Sequence, residues 1–274
     1  MREFFYKSIL VFYFFLSVCM YGIQIIGFLY IYSAARPEII LERFRILSNL
    51  HMYSGVTGVV FTAAFSLLFF SRPVIIKSVS GIDLASLRTQ IRWQWFFLFL
   101  VLAGYILWMY QMHLNIVYLF IFIVAIYSVF LSASCFYRGE VKSWKHPTSY
   151  GNFFISALTQ GWAILGIIGV TGIRSTAWLI FILFLLVFDL LIIYGRFVYL
   201  SKFSVQTRVI TQQLVGAYLL YFLTRLVLGI FIPLILMGGV LLFEGEFSSS
   251  NGIFLITAGV IDKMLFIFLT DKPA

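Results

Sequence analysis

Four ionisable side chains fall inside long apolar stretches of this sequence: Asp189, Arg225 and the adjacent pair Asp262 and Lys263. In hydrocarbon each such group costs at least about 2.5 to 3.5 kcal/mol on insertion scales, so it faces a partner, a cavity or a ligand path. Arg225 has two natural partners, Asp189 and Asp262. Asp262 and Lys263 lie about 100° apart around a helix and are not expected to neutralise each other on one face. Two uses fit the set: a buried ion pair that fixes helix register, or a pocket that binds a ligand by charge.

The histidines are His51, His113 and His146. An imidazole titrates near neutral pH, so His51 is suited to taking or giving a proton. His51 and His113 fall on the same side of the chain's apolar spans, and a b-type haem held between them is a second use. Plain interfacial hydrogen bonding is a third. Cys19 and Cys135 both lie in apolar runs, and two thiols cannot assemble an iron-sulfur or four-thiolate zinc site. Phosphate-binding glycine loops, a nucleophile elbow and HExxH are absent.

The elements that must position these groups follow from composition. Of 274 residues, 62% are hydrophobic and 11% charged, and mean hydropathy is +1.05. That charge content is under half the roughly 25% of ordinary globular chains, which excludes a soluble globule. The apolar runs pass the ~20 residues that cross a bilayer core and are apolar on every face, which excludes a transmembrane barrel. The expectation is an all-α, polytopic membrane protein of about eight transmembrane helices in one bundle, a single domain over 1–274. The expected spans are Ile9 to Tyr32, His51 to Phe70, Trp93 to Tyr110, Ile116 to Tyr137, Tyr150 to Gly172, Ala177 to Gly195, Leu214 to Phe243 and Gly252 to Leu269. The first is too long for a cleaved signal and is read as a retained helix.

Loops on alternate sides of these spans carry thirteen Lys and Arg against four. The positive-inside rule places both termini in the cytoplasm of a prokaryotic cell and Glu244 and Glu246 outside. The net charge of +9 is therefore a topology signal and not a nucleic-acid surface. Trp93, Trp95, Trp108 and Trp178 suit interfacial belts. Between Val74 and Arg92, Ile75, Val79, Ile82, Leu87 and Ile91 recur at near-helical spacing around Lys77, Arg88 and Arg92, which fits a helix lying on the membrane or, with Gly81 in its middle, a plain loop. Gly166, Gly169 and Gly172 offer span five a helix-packing surface. Pro233 removes a hydrogen bond from a seventh span of about 30 residues, which predicts a tilt or break.

The segments Phe70-Ser71-Arg72-Pro73 and Trp144-Lys145-His146-Pro147, the latter followed by Phe153, Ser156 and Gly161, resemble the membrane anchor subunit of dimethyl sulfoxide reductase-type molybdoenzymes. RLVLGIFIP, Arg225 to Pro233, is similar to that family's R-x-x-x-G-x-x-x-P helix, and GVIDKMLFIF, Gly259 to Phe268, to its closing helix. The resemblance implies a subunit that binds menaquinol as substrate and passes its electrons to an iron-sulfur subunit and on to a molybdopterin catalytic subunit. It implies no haem, iron-sulfur cluster or molybdenum in this chain. Two positions depart from the family pattern: Phe69-Phe70-Ser71 stands where His-Leu-Gly is usual, and Gln90 replaces an acidic residue. The expected quinol-binding residues are Arg225, Asp262, Arg72, His51 and Gln90, with His51 standing in for the missing family histidine. From another class, a secondary transporter would use Asp189, Arg225, Asp262 and Lys263 to bind its substrate.

Overall fold

The computed structural model describes residues 2–33, 37–74, 76, 81–110, 115–140, 145–170, 172–202, 216, 219–243 and 247–268. Among them are eight helices and no strand: α1 (Arg2–Tyr32), α2 (Pro37–Ser71), α3 (Leu84–Met109), α4 (Asn115–Tyr137), α5 (Thr148–Ile167), α6 (Thr176–Lys202), α7 and α8 (Ser249–Phe268). Helix α7 comprises two α-helical pieces, Leu219–Leu226 and Ile232–Leu242, joined by a π-helical turn, Val227–Phe231. Where no water reaches the backbone, amides and carbonyls must be satisfied within their own segment, and long apolar runs become helices. Six helices, α1 to α4, α6 and α7, are long and apolar enough to cross a membrane, and the chain is a helical membrane protein. Six of the expected eight crossings thus meet that length and composition among the described residues. In α5 the apolar content is diluted by Ser149, Asn152, Ser156, Thr159 and Gln160, all buried.

Helices α1 and α2 start well ahead of the expected Ile9 and His51. Glu42, Arg43 and Arg45 interrupt the apolar run but are good helix formers, and Pro37 suits a first helical position. His51 therefore sits inside α2 rather than at its mouth.

The stretch from Val74 to Arg92 is not one surface helix. Gly81, at φ 63°, occupies the left-handed region that glycine tolerates, and α3 starts at Leu84. Asp83 caps α3: its Oδ2 accepts from the Ser86 amide at 2.9 Å and the Ser86 hydroxyl at 2.5 Å. The Glu140 amide donates to the Gly81 carbonyl at 2.6 Å and the Asp83 amide to the Cys135 carbonyl at 3.2 Å, which pins this turn to the end of α4. Ile75, Lys77 and Val79 lie outside the described residues, as do His113, Trp144, Glu244 and Glu246.

The glycine surface expected in span five is instead a helix stop. Gly169 takes φ 83° just past α5; its amide donates to Gly166 and the Val170 amide to Leu165, the paired bonds of a Schellman motif. Gly172, also at φ 83°, turns the chain toward α6. The close helix contact lies elsewhere, where Gly22 of α1 meets the backbone of Ala157 and Gly161 in α5. A Cβ at Gly22 or Gly161 would overlap the facing main chain. Phe14 meets Phe153 two turns earlier, so α1 and α5 run parallel. Around this pair, α2 packs on α1 and α3, α4 on α1, α3 and α5, and α8 on α1 and α5, with α7 against α6 and α8. In their apolar windows 83% of α1 is buried but only 22% of α7, so α1 is central and α7 peripheral.

Candidate functional site

The intramembrane charges converge between α5, α6, α7 and α8. Arg225 lies in the last turn of the first piece of α7, and its Nε donates to Asp262 Oδ1 at 2.6 Å. Of the two partners open to Arg225 in the sequence, Asp262 is therefore the one in contact. Lys263 Nζ lies 3.5 Å from Asp262 Oδ2, so these neighbours pair although they were not expected to neutralise each other on one face. The flexible lysine stem carries the ammonium back around the helix, where it also donates to Asn152 Oδ1 and, at 3.4 Å, to the Asn152 carbonyl. The ammonium stands 4.9 Å from the centre of the Phe153 ring. Asn152 Nδ2 donates in turn to Asp189 Oδ1 at 3.0 Å. Because an ammonium only donates, it fixes the Asn152 amide with its oxygen toward Lys263 and its nitrogen toward Asp189. All five side chains are buried, and the two carboxylates balance the two cations.

Beside this cluster is a narrow cavity of about 20 Å³, room for about one water molecule. Ser156, Gln160, Asp189, Gly229, Pro233, Gly259 and Asp262 line it, with Ile155, Leu186 and Leu255 among its apolar walls. Gly229 brings α7 close: a Cβ there would stand 3.3 Å from Asp262 Cβ. Gly259 does the same for α8, since a Cβ would strike the Gln160 amide. Gln160 Nε2 donates to the Leu255 carbonyl at 3.3 Å, and its buried Oε1 has no partner among the described residues.

The break expected at Pro233 is the π-helical turn. Proline has no amide to offer the carbonyl four residues back, which belongs to Gly229. The Ile232 amide reaches five residues back to Val227, and Pro233 then opens a new α-helical piece, where its missing donor costs nothing. Single π turns of this kind recur at functional sites.

The other expected quinol residues lie apart. Arg72 is exposed at the end of α2. Gln90 is fully buried between α1, α3 and α4; its Oε1 accepts from Tyr13 at 2.7 Å, and its Nε2 donates to Tyr21 at 3.3 Å and to Ser132 at 3.4 Å. His51 is fully buried and stacks on Tyr118 with ring centroids 4.8 Å apart. Both His51 ring nitrogens, and the Tyr118 hydroxyl, lack a hydrogen-bond partner among the described residues. None of the three lines the cavity. Outside the spans, His146 shares a 2.7 Å hydrogen bond with Thr148 and packs on Tyr199. Burial, with the positive Arg196 nearby, holds its imidazole below the usual range.

Asn152 and Gln160 were not among the expected site residues. Neutral amides leave no charge signal, and their one clue was a helical spacing of eight that puts both on one face. No protein-family model, curated protein or solved structure matches the chain.

Proposed function

We propose that this chain is the quinol-oxidising membrane anchor of a respiratory oxidoreductase of the dimethyl sulfoxide reductase type. In this reading α5 and α8 also cross a prokaryotic cell membrane, both termini are cytoplasmic, and the chain delivers electrons from menaquinol to an iron-sulfur subunit that serves a molybdopterin catalytic subunit. One observation carries it. Ser156, Gly229, Pro233, Gly259 and Asp262, quoted above for the family resemblance from three separate segments, line a single cavity, and Arg225 from the same motif pairs with Asp262 beside it.

The chemistry is suited to a quinol. Its ring requires an apolar slot, here Ile155, Leu186, Leu255 and Pro233, and its hydroxyls require polar groups fixed in place. The cavity is too small for the ring as it stands. Helix α7, peripheral and interrupted at its π turn, is the element whose displacement admits a substrate dissolved in the bilayer. Arg225 and Asp262 then hold one hydroxyl, and the electrons leave one at a time to the iron-sulfur partner.

The test is electron transfer in native membranes. Arg225→Ala and Asp262→Ala each lower quinol-dependent turnover while leaving turnover with reduced benzyl viologen intact. Wild-type quinol turnover in both variants refutes the reading. Affinity purification in mild detergent, with molybdenum and iron analysis of the co-purifying chains, tests the partners.

The broken α7 beside four charged groups favours a second reading, a secondary transporter with its substrate at the helix break. Substrate flux by the purified chain in liposomes would establish it.

A further inference from the structure

The two carboxylates at the cavity have unequal surroundings. Asp262 has two cations against it, Arg225 Nε at 2.6 Å and Lys263 Nζ at 3.5 Å. Asp189 has no cation within contact distance among the described residues; its one hydrogen bond is from the neutral Asn152 amide to Oδ1. Asn152 also separates Asp189 from Lys263, offering its nitrogen to one and its oxygen to the other. Asp189 lines the cavity from α6, and Asp262 lines it from α8. A pair of acids in contrasting environments is how a site divides its labour: the clamped group stays charged and orients, and the unclamped one exchanges protons.

We propose that Asp189 is the proton acceptor of this site, receiving on Oδ2 the proton of a bound quinol hydroxyl. The assignment rests on the quinol reading above and adds to it a residue for which the family motifs supply no role. The step is a proton transfer alone. The hydroxyl O–H bond breaks, an O–H bond forms on the Asp189 carboxyl, and the quinol is left as its monoanion. Oxidation follows, with each electron passing to a one-electron acceptor of the iron-sulfur class in the partner subunit. The second hydroxyl proton leaves as the ring becomes quinone, after Asp189 has passed on the first. Arg225 and Lys263, which act on Asp189 from α7 and α8, favour the negative charge that Asp189 carries before the transfer; Asp262 opposes it.

The experiment uses the complete complex in native membranes, with reduced 2,3-dimethyl-1,4-naphthoquinone as donor and reduced benzyl viologen as control. Asp189→Asn keeps the shape and a hydrogen bond to Asn152 but removes the acceptor. It is expected to lower quinol kcat by about 100-fold or more with KM within about threefold and viologen turnover unchanged. Redox-difference infrared spectra of the wild type should show a protonated-carboxyl C=O band on quinol oxidation that Asp189→Asn lacks and Asp189→Glu shifts. The glutamate variant keeps the test open should the asparagine variant fail to fold. Wild-type kcat in Asp189→Asn, or a band unmoved in Asp189→Glu, overturns the assignment and leaves the quinol reading standing. No quinol turnover by the wild-type complex overturns both.

Discussion

Arg225 and Asp262 lie 37 residues apart in sequence and meet at 2.6 Å, so a charged hydrogen bond ties the broken helix α7 to α8. Both side chains are buried. Removing one member of a buried pair strands the other's charge and costs about 3 to 5 kcal/mol. Lys263 remains beside Asp262 to offset part of this. Arg225→Ala is therefore expected at the low end, about 3 kcal/mol, and the Arg225→Ala, Asp262→Ala double variant should lose less than the two singles combined. Unfolding of the purified protein in detergent micelles measures all three; additive losses would show that the pair does not act as a unit.

Gly22 and Gly161 allow α1 and α5 to touch main chain to main chain. The atoms a new Cβ would strike are backbone and cannot rotate away. Gly22→Ala should cost at least about 1 to 3 kcal/mol, the usual range for overpacking. Gly238 of α7 has open space around its Cα, and Gly238→Ala is the control. It should match the wild type or exceed it, because glycine inside a helix is the less stable choice. Thermal unfolding of both variants in one detergent makes the comparison, and equal losses would refute the contact.

The legibility of these features from sequence was uneven for physical reasons. Apolar runs are helical in lipid by necessity, which is why the principal helices could be named. The charges had to find one another for the same reason, and Asp189, Arg225, Asp262 and Lys263 do share one cluster. Glycine spacing is ambiguous by contrast. A small-xxx-small surface and a Schellman stop both call for glycine, and only the backbone of Gly169 tells them apart. The start of α2 lies ahead of its apolar run because Glu42, Arg43 and Arg45 lower hydropathy without lowering helix propensity. Asn152 and Gln160 act through the direction in which an amide points, and that follows from the neighbours the fold supplies.

Asp83 makes the α3 cap sensitive to acid. Partial burial pushes its carboxyl upward, but hydrogen bonds from the Ser86 hydroxyl and amide and from the Ala85 amide, with Arg138 nearby, outweigh it and hold Asp83 below the ordinary carboxylate value. A depressed folded value means that the cap contributes in full above the unfolded carboxylate pKa and is lost as pH falls through the folded one. Asp83→Ala should cost about 1 kcal/mol at neutral pH and flatten the fall in stability in the acid range. A wild-type slope in the variant would assign the acid sensitivity to other groups.

His51 presents the opposite case, a polar ring enclosed with neither nitrogen satisfied among the described residues. A buried unsatisfied group costs about 1 to 3 kcal/mol, and an apolar side chain of similar size relieves that cost. His51→Leu is expected to melt at or above the wild-type temperature and, since His51 does not line the cavity, to keep full quinol turnover. A large loss of turnover in a stable His51→Leu protein would restore the histidine to the quinol site.

The contact between Gly22 and Gly161 also bears on how the bundle is assembled. Helix α1 is made ahead of the helix that fits against its bare glycine by three others, α2, α3 and α4. Inserted helices are stable as single spans before they associate, so α1 can wait in the bilayer while those three are made, with only lipid or a provisional neighbour on that face. The glycine face of α1 is therefore completed late, when α5 arrives, and α8 packs on both helices after that.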